Sequence, residues 1–255
     1  MEARHRPIVW DASTAGRLPA EVREVVADAW RTRAIAEHRS VGLFATYAID
    51  LAGFGAPAEF LSLACRAALD EVRHTEIFAR LAALYSGEDE TPPAGIEPMP
   101  DDRSLPHDHQ LAREAVYLSV AAETFSMVSL AEQRKRATDP TVRDVYQTVL
   151  ADEMHHARMG WALLDLLLRR EGEVATSLRA YLEKEVPLCF ERLVDLTFGD
   201  PSSIPEPSLS GELRTLAEGH GYIALQDQYA LYRSAVADVW VPGFRALGLS
   251  VALDA

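Results

Sequence analysis

The feature that most constrains this 255-residue chain is a polar signature that occurs twice on otherwise apolar helical stripes. Glu37 is followed by Asp70-Glu71-Val72-Arg73-His74, and Glu123 by Asp152-Glu153-Met154-His155-His156. The step from lone to paired glutamate is 34 residues in one half (37 to 71) and 30 in the other (123 to 153), a weak internal repeat. At helical spacing Glu71 and His74 lie about 60° apart around the axis and about 4.5 Å apart along it, so both reach one metal ion. Their stripe reads Phe60, Ala64, Ala67, Glu71, His74, Phe78, Leu81, and its counterpart Val142, Val149, Glu153, His156, Gly160, Leu163, Leu167. Glu37 stands in the stripe Trp30, Ala34, Val41, Phe44, Ala48, and Glu123 in Val116, Val120, Met127, Leu130. All six groups are thereby directed into a helical core.

Four buried carboxylates cost too much unless something cationic compensates them. Two divalent metals would supply that charge, and mixed carboxylate and imidazole donors suit iron or manganese. The competing reading makes these groups surface charges, or core ion pairs with Arg33, Arg73 and Arg158. By chance, acid-acid-x-x-His is expected about 0.2 times here and two copies about 0.02 times, which favours the metal.

Glycine and proline fall in clumps, and no β-branched alternation lies between them. Six helices are expected, over about 20–53, 57–86, 107–138, 139–172, 173–198 and 208–247. Asp139 is a cap with Pro140 at the first helical position. The segment from Gly87 to Pro106, with five prolines, reads as a connector without regular structure. Tight joints make helices 1–2 and 3–4 antiparallel hairpins, with the connector crossing between them. The whole of 1–255 is read as one domain: a four-helix bundle over 20–170 with two additional C-terminal helices over 173–247. His220 and Tyr222, beside Gly219 and Gly221, mark a break in the last.

Composition narrows the setting. With 25 Lys+Arg against 39 Asp+Glu the formal charge is −14, which argues against a nucleic-acid partner. No run of about 18 apolar residues suggests a membrane span. No apolar stretch follows the charged N-terminus as a secretory signal would. Cys65 and Cys189 build no disulfide framework. A soluble, cytoplasmic protein is expected.

The pattern Glu37…Glu71-x-x-His74…Glu123…Glu153-x-x-His156, on two hairpins joined by one long crossover, resembles the di-iron carboxylate proteins of the ferritin-like superfamily. The resemblance covers about three fifths of the chain. It implies that Glu37, Glu71 and His74 hold one iron and Glu123, Glu153 and His156 the other, with Glu71 and Glu153 bridging. In the oxygen-activating branch, which includes soluble di-iron monooxygenases, aspartates before the ligand pairs support the histidines. Carried over, Asp70 would bond His156 and Asp152 would bond His74. Arg73 matches that branch's Asp-Glu-x-Arg-His form, and His155 departs from it. Phe78 stands where reductase small subunits carry a radical tyrosine, which argues against that activity. The chain is also similar to arylamine N-oxygenases, but has Val149 where that family adds a third histidine.

The function this implies is an O₂-activating oxygenase that hydroxylates, N-oxygenates or desaturates a small organic substrate. Its cofactor would be two iron ions, with manganese or a mixed pair equally accepted. Its partners would be O₂, the substrate, an external electron donor and a second copy in a homodimer. Iron handling as a ferroxidase or storage protein, and a metal-free interaction bundle, are the alternatives. Phe44, Ser126 and Met127 flank the ligands as candidate pocket residues. His38 and His155 point about 100° away from Glu37 and His156, so they are read as surface or inter-helix histidines rather than ligands.

Overall fold

Clumped glycine and proline separate long helices in the computed structural model, which describes residues 7–11, 13–90, 104–170, 172–205 and 207–253. Among these residues the chain is all-helical, with seven helices and no strand. They are α1 (Ala20–Phe54), α2 (Ala58–Ser86), α3 (107–136), α4 (Pro140–Leu168), α5 (Glu173–Phe198), α6 (Gly211–Gly219) and α7 (225–246). The proline-rich connector lies largely outside the described residues, as do the first six residues of the chain. No helix among the described residues is long and apolar enough to cross a membrane.

The two expected hairpins form. α1 and α2 pack along their lengths, and their joint closes where Ala56 N–H donates to the Leu51 carbonyl at 3.0 Å. At the α3–α4 joint the Asp139 carboxylate accepts from Val142 N–H at 3.0 Å, ahead of Pro140 at the first helical turn. The backbone of that joint is tied to α6, because Thr138 and Asp139 N–H both donate to the Gly219 carbonyl. α4 packs on α2 and α3, and α5 packs on the outer side of α3.

Two features depart from the expected helices. The helix expected over 208–247 is divided in two at the break expected beside Gly219 and Gly221, so three helices follow α4 rather than two. At Gly221 the backbone takes φ +105°, and a Cβ there would stand 2.1 Å from the Trp30 ring. The chain turns at this contact and resumes at Leu225. The second departure lies inside α3. Ala115–Glu123 is π-helical, between α-helical His107–Glu114 and Thr124–Arg136. Such wide turns leave the α register and are favoured where the local packing rewards them. Here the reward is close approach to α4, since a Cβ on Gly160 would meet the Ser119 Cβ at 2.4 Å.

The apolar core is divided. One cluster gathers Phe44 and Leu51 of α1, Ala64 and Ala67 of α2, Val116 and Val120 of α3 and Leu163 of α4, together with α5 and α7. The other gathers Trp30 and Ala34, Phe78 and Leu81, Leu130, and Val142 with Val149. On each of the four helices the polar residues of the repeated signature fall between the two clusters. The chain thereby places all of them at one depth.

Candidate metal centre

Each helix contributes at a position that its own periodicity turns inward. Glu37 comes from α1, Glu71 and His74 from α2, Glu123 from the end of the π-helical stretch of α3, and Glu153 and His156 from α4. Five of the six are at most 4 % exposed, and only the Glu37 side chain keeps 12 %. Glu37 is therefore the edge of the centre nearest solvent.

Donor atoms of Glu37, Glu71, His74 and Glu153 all lie within 4.8 Å of one another, and so do those of Glu71, Glu123, Glu153 and His156. Glu71 and Glu153 belong to both groups. Each turns one oxygen to each imidazole. Glu71 Oε2 stands 3.7 Å from His74 Nδ1 while its Oε1 stands 3.1 Å from His156 Nδ1. Glu153 Oε1 stands 3.2 Å from His74 Nδ1 and its Oε2 3.7 Å from His156 Nδ1. Glu37 faces His74 at 3.7 Å and Glu123 faces His156 at 3.4 Å.

The outer ring nitrogens meet aspartates crosswise. His74 Nε2 lies 3.2 Å from Asp152 Oδ2, and His156 Nε2 lies 3.5 Å from Asp70 Oδ2. An ionised aspartate only accepts, so His74 Nε2 carries a proton, and once a metal displaces the proton on Nδ1 that lone pair faces the centre. Arg73 bonds Asp152 and stands 3.7 Å from Asp70.

Both oxygens of Glu71, both of Glu153 and both Nδ1 atoms are buried without a hydrogen-bond partner. Buried acceptors in this state are costly, and a shared cation in their midst removes the cost. Arginine does not supply it. Among the described residues no Lys or Arg comes within 4 Å of the four glutamates. Arg33 lies over the rings of Trp30, Phe78 and Tyr146 and donates to Gln133 at 2.5 Å. Arg158 is exposed, and Arg73 serves the aspartates.

Without metal the centre must hold protons. Burial, together with the charge of Glu71, pushes the Glu37 carboxyl up to about 7. Burial and Glu153 hold Glu123 well above the usual carboxylate range. Burial alone would lower both imidazoles, but the carboxylates around them raise them well above the ordinary histidine value. Divalent cations would displace these protons and satisfy the orphaned atoms together. Oxygen-rich donors with one imidazole apiece suit iron or manganese.

The other singled-out residues divide. The Phe44 ring packs 5.2 Å from the His156 ring, so it is a wall of the centre. Ser126 and Met127 are half-buried on α3. A cavity against His156 has a volume of about 10 Å³ and is walled by Leu63, Arg66, Ala67, Asp70, His155 and Met159 instead. His155 is exposed at its mouth, and His38 is half-buried on α1. His220 is structural: its Nδ1 meets the Tyr85 hydroxyl at 2.8 Å and its carbonyl accepts from Trp30 Nε1 at 3.1 Å.

Sequence reasoning passed over Glu114, a second buried acid on α3 that accepts from Gln110 at 3.1 Å. Its signal was an acid at helical spacing between Leu111 and Leu118. No family model matches the chain, and no curated protein matches it significantly.

Proposed function

We propose that this chain is an O₂-activating non-haem di-iron oxygenase in which α1–α4 form a ferritin-like four-helix arrangement. The observation that carries the reading is the sharing of Glu71 and Glu153, each of which offers one oxygen toward His74 and the other toward His156. That is the disposition of two carboxylates that bridge a pair of ions. Glu37 and His74 would complete one position, and Glu123 and His156 the other.

When bound, the two iron ions supply O₂ activation and oxygen transfer to a small organic substrate, with electrons from an external donor. The chain's own part is to hold and orient. Four protein donors at each position leave coordination open. Asp152 fixes the His74 imidazole so that Nδ1 faces inward, and Asp70 stands beyond the outer nitrogen of His156. The two apolar clusters above and below confine water to the edges beside Glu37 and His156, which strengthens the charge interactions inside. Phe44 and the partly exposed Glu37 mark the side on which substrate would meet the centre. Manganese, or a mixed pair, fits the same donors.

Metal analysis of protein loaded with Fe(II), followed by oxygen uptake of the reduced protein against amines, acids and aldehydes, tests the reading. Close to two irons per chain and substrate-stimulated oxygen uptake are expected. Iron that turns over only to Fe(III), in a particle with the mass of a storage cage, would replace it with iron handling. Failure to bind iron would end both.

A further inference from the structure

The repeated signature looks symmetric, but its two outer supports differ in three independent ways. The first is distance. Asp152 is within hydrogen-bond reach of His74 Nε2 at 3.2 Å, whereas Asp70 stands 3.5 Å from His156 Nε2, which is left without a hydrogen-bond partner. The second is bracing. Asp152 is bonded by Arg73, and Arg73 reaches Asp70 only at 3.7 Å. In the second half the residue matching Arg73 is His155, which points to solvent. The third is access. The Asp152 side chain is 1 % exposed and that of Asp70 15 %. The cavity of about 10 Å³ that Asp70, His155 and His156 wall has room for about one water.

Resting on the di-metal reading above, we infer that the two metal positions are unequal. The position that ends on His74 binds its ion first and releases it last. The position that ends on His156 is the exchangeable one, and its ion enters and leaves on the side of Asp70 and His155. Two physical effects drive the difference. An imidazole held by a buried, arginine-braced carboxylate is already aimed, so its ligation costs little reorganisation. An imidazole with an unpartnered Nε2 beside a water-sized opening must first be aimed, and water competes for its place there. Arg73 and Asp152 are thus positioning residues for one ion, and the other position has no equivalent brace.

Co(II) titration of the metal-free protein, followed by calorimetry and by the visible absorption of the bound ion, separates the outcomes. Two classes of site at least tenfold apart in affinity are expected. Asp152→Asn would weaken the tighter class by about 10–100-fold, and Asp70→Asn, which removes no such brace, would weaken the other class far less. If Asp152→Asn does not fold, Arg73→Gln tests the same brace. Anomalous diffraction from crystals with one equivalent of cobalt would place that ion against His74. One class of two equal sites would overturn the inference, as would the first cobalt sitting against His156. Neither result would touch the di-metal reading, which fails if fewer than two cobalt ions bind per chain.

Discussion

Trp240 of α7 donates its indole Nε1–H to the carbonyl of Val120 in α3 at 2.7 Å. Both residues lie in π-helical stretches, Val236–Trp240 and Ala115–Glu123, and Val120 is three residues before Glu123. A C-terminal helix outside the four that carry the donor groups is thereby bonded to the backbone that delivers one of them. The outer helices hold the geometry of the centre as well as covering it.

Replacing Trp240 by Phe keeps an aromatic ring against Phe190 and Tyr232 but removes the donor. Val120 then keeps a buried carbonyl with one bond fewer. A loss of about 1–3 kcal/mol in urea unfolding is expected. Metal affinity at the His156 position should fall as well, because Glu123 hangs from the loosened stretch.

Gly160 sits one turn after His156, where α4 meets the π-helical stretch. A methyl group there would meet the Ser119 Cβ at 2.4 Å, the Ala115 carbonyl at 3.1 Å and the Val120 side chain at 3.2 Å. All three partners belong to the helix pinned by Trp240, so they yield little. Gly160→Ala should destabilise the protein by about 1–3 kcal/mol on denaturant unfolding, despite the better helix propensity of alanine.

Glu114 carries a pH dependence that is separate from the metal centre. Burial, and after it the neighbouring Asp50, push its carboxyl up to about 8. A raised carboxyl pKa means that the folded state binds the extra proton, so stability falls as pH rises from about 4.5 to about 8. Glu114→Gln keeps an acceptor for Gln110 and has no proton to lose. The stability difference between Glu114→Gln and wild type, both metal-free, should grow by a few kcal/mol over that range. A flat difference would remove the group from the account.

Metal should stabilise the fold, because the orphaned oxygens and Nδ1 atoms exist together only in the native state. At free Fe(II) about 100-fold above its Kd, thermal unfolding should report about 2.7 kcal/mol of added stability per site. A chelator should reverse it. Glu71→Ala removes a group shared by both positions, so it should abolish the increment and not merely halve it.

The centre was legible in the amino-acid sequence because a helix is a local object. Turns of 3.6 residues bring Glu71 to His74 and Glu153 to His156 whatever the rest of the chain does, and apolar neighbours at i±3 and i±4 turn these groups inward. The all-helical class and the helix-ending joints at Gly53–Pro57 and Thr138–Pro140 followed from residues a few positions apart. What was not legible depends on contacts between distant segments. The break before α7 was marked by Gly219 and Gly221, but the contact of Gly221 with Trp30, 191 positions away in the sequence, was not. The wide turns of α3 are set by the bare surface of Gly160 and by the Trp240 bond, and no periodicity within α3 announces either. The sequence by itself determined which six side chains would face the core. Only the tertiary structure decided that Asp152 would be braced and buried while Asp70 opens toward solvent, since the reach between helices depends on how closely they pack.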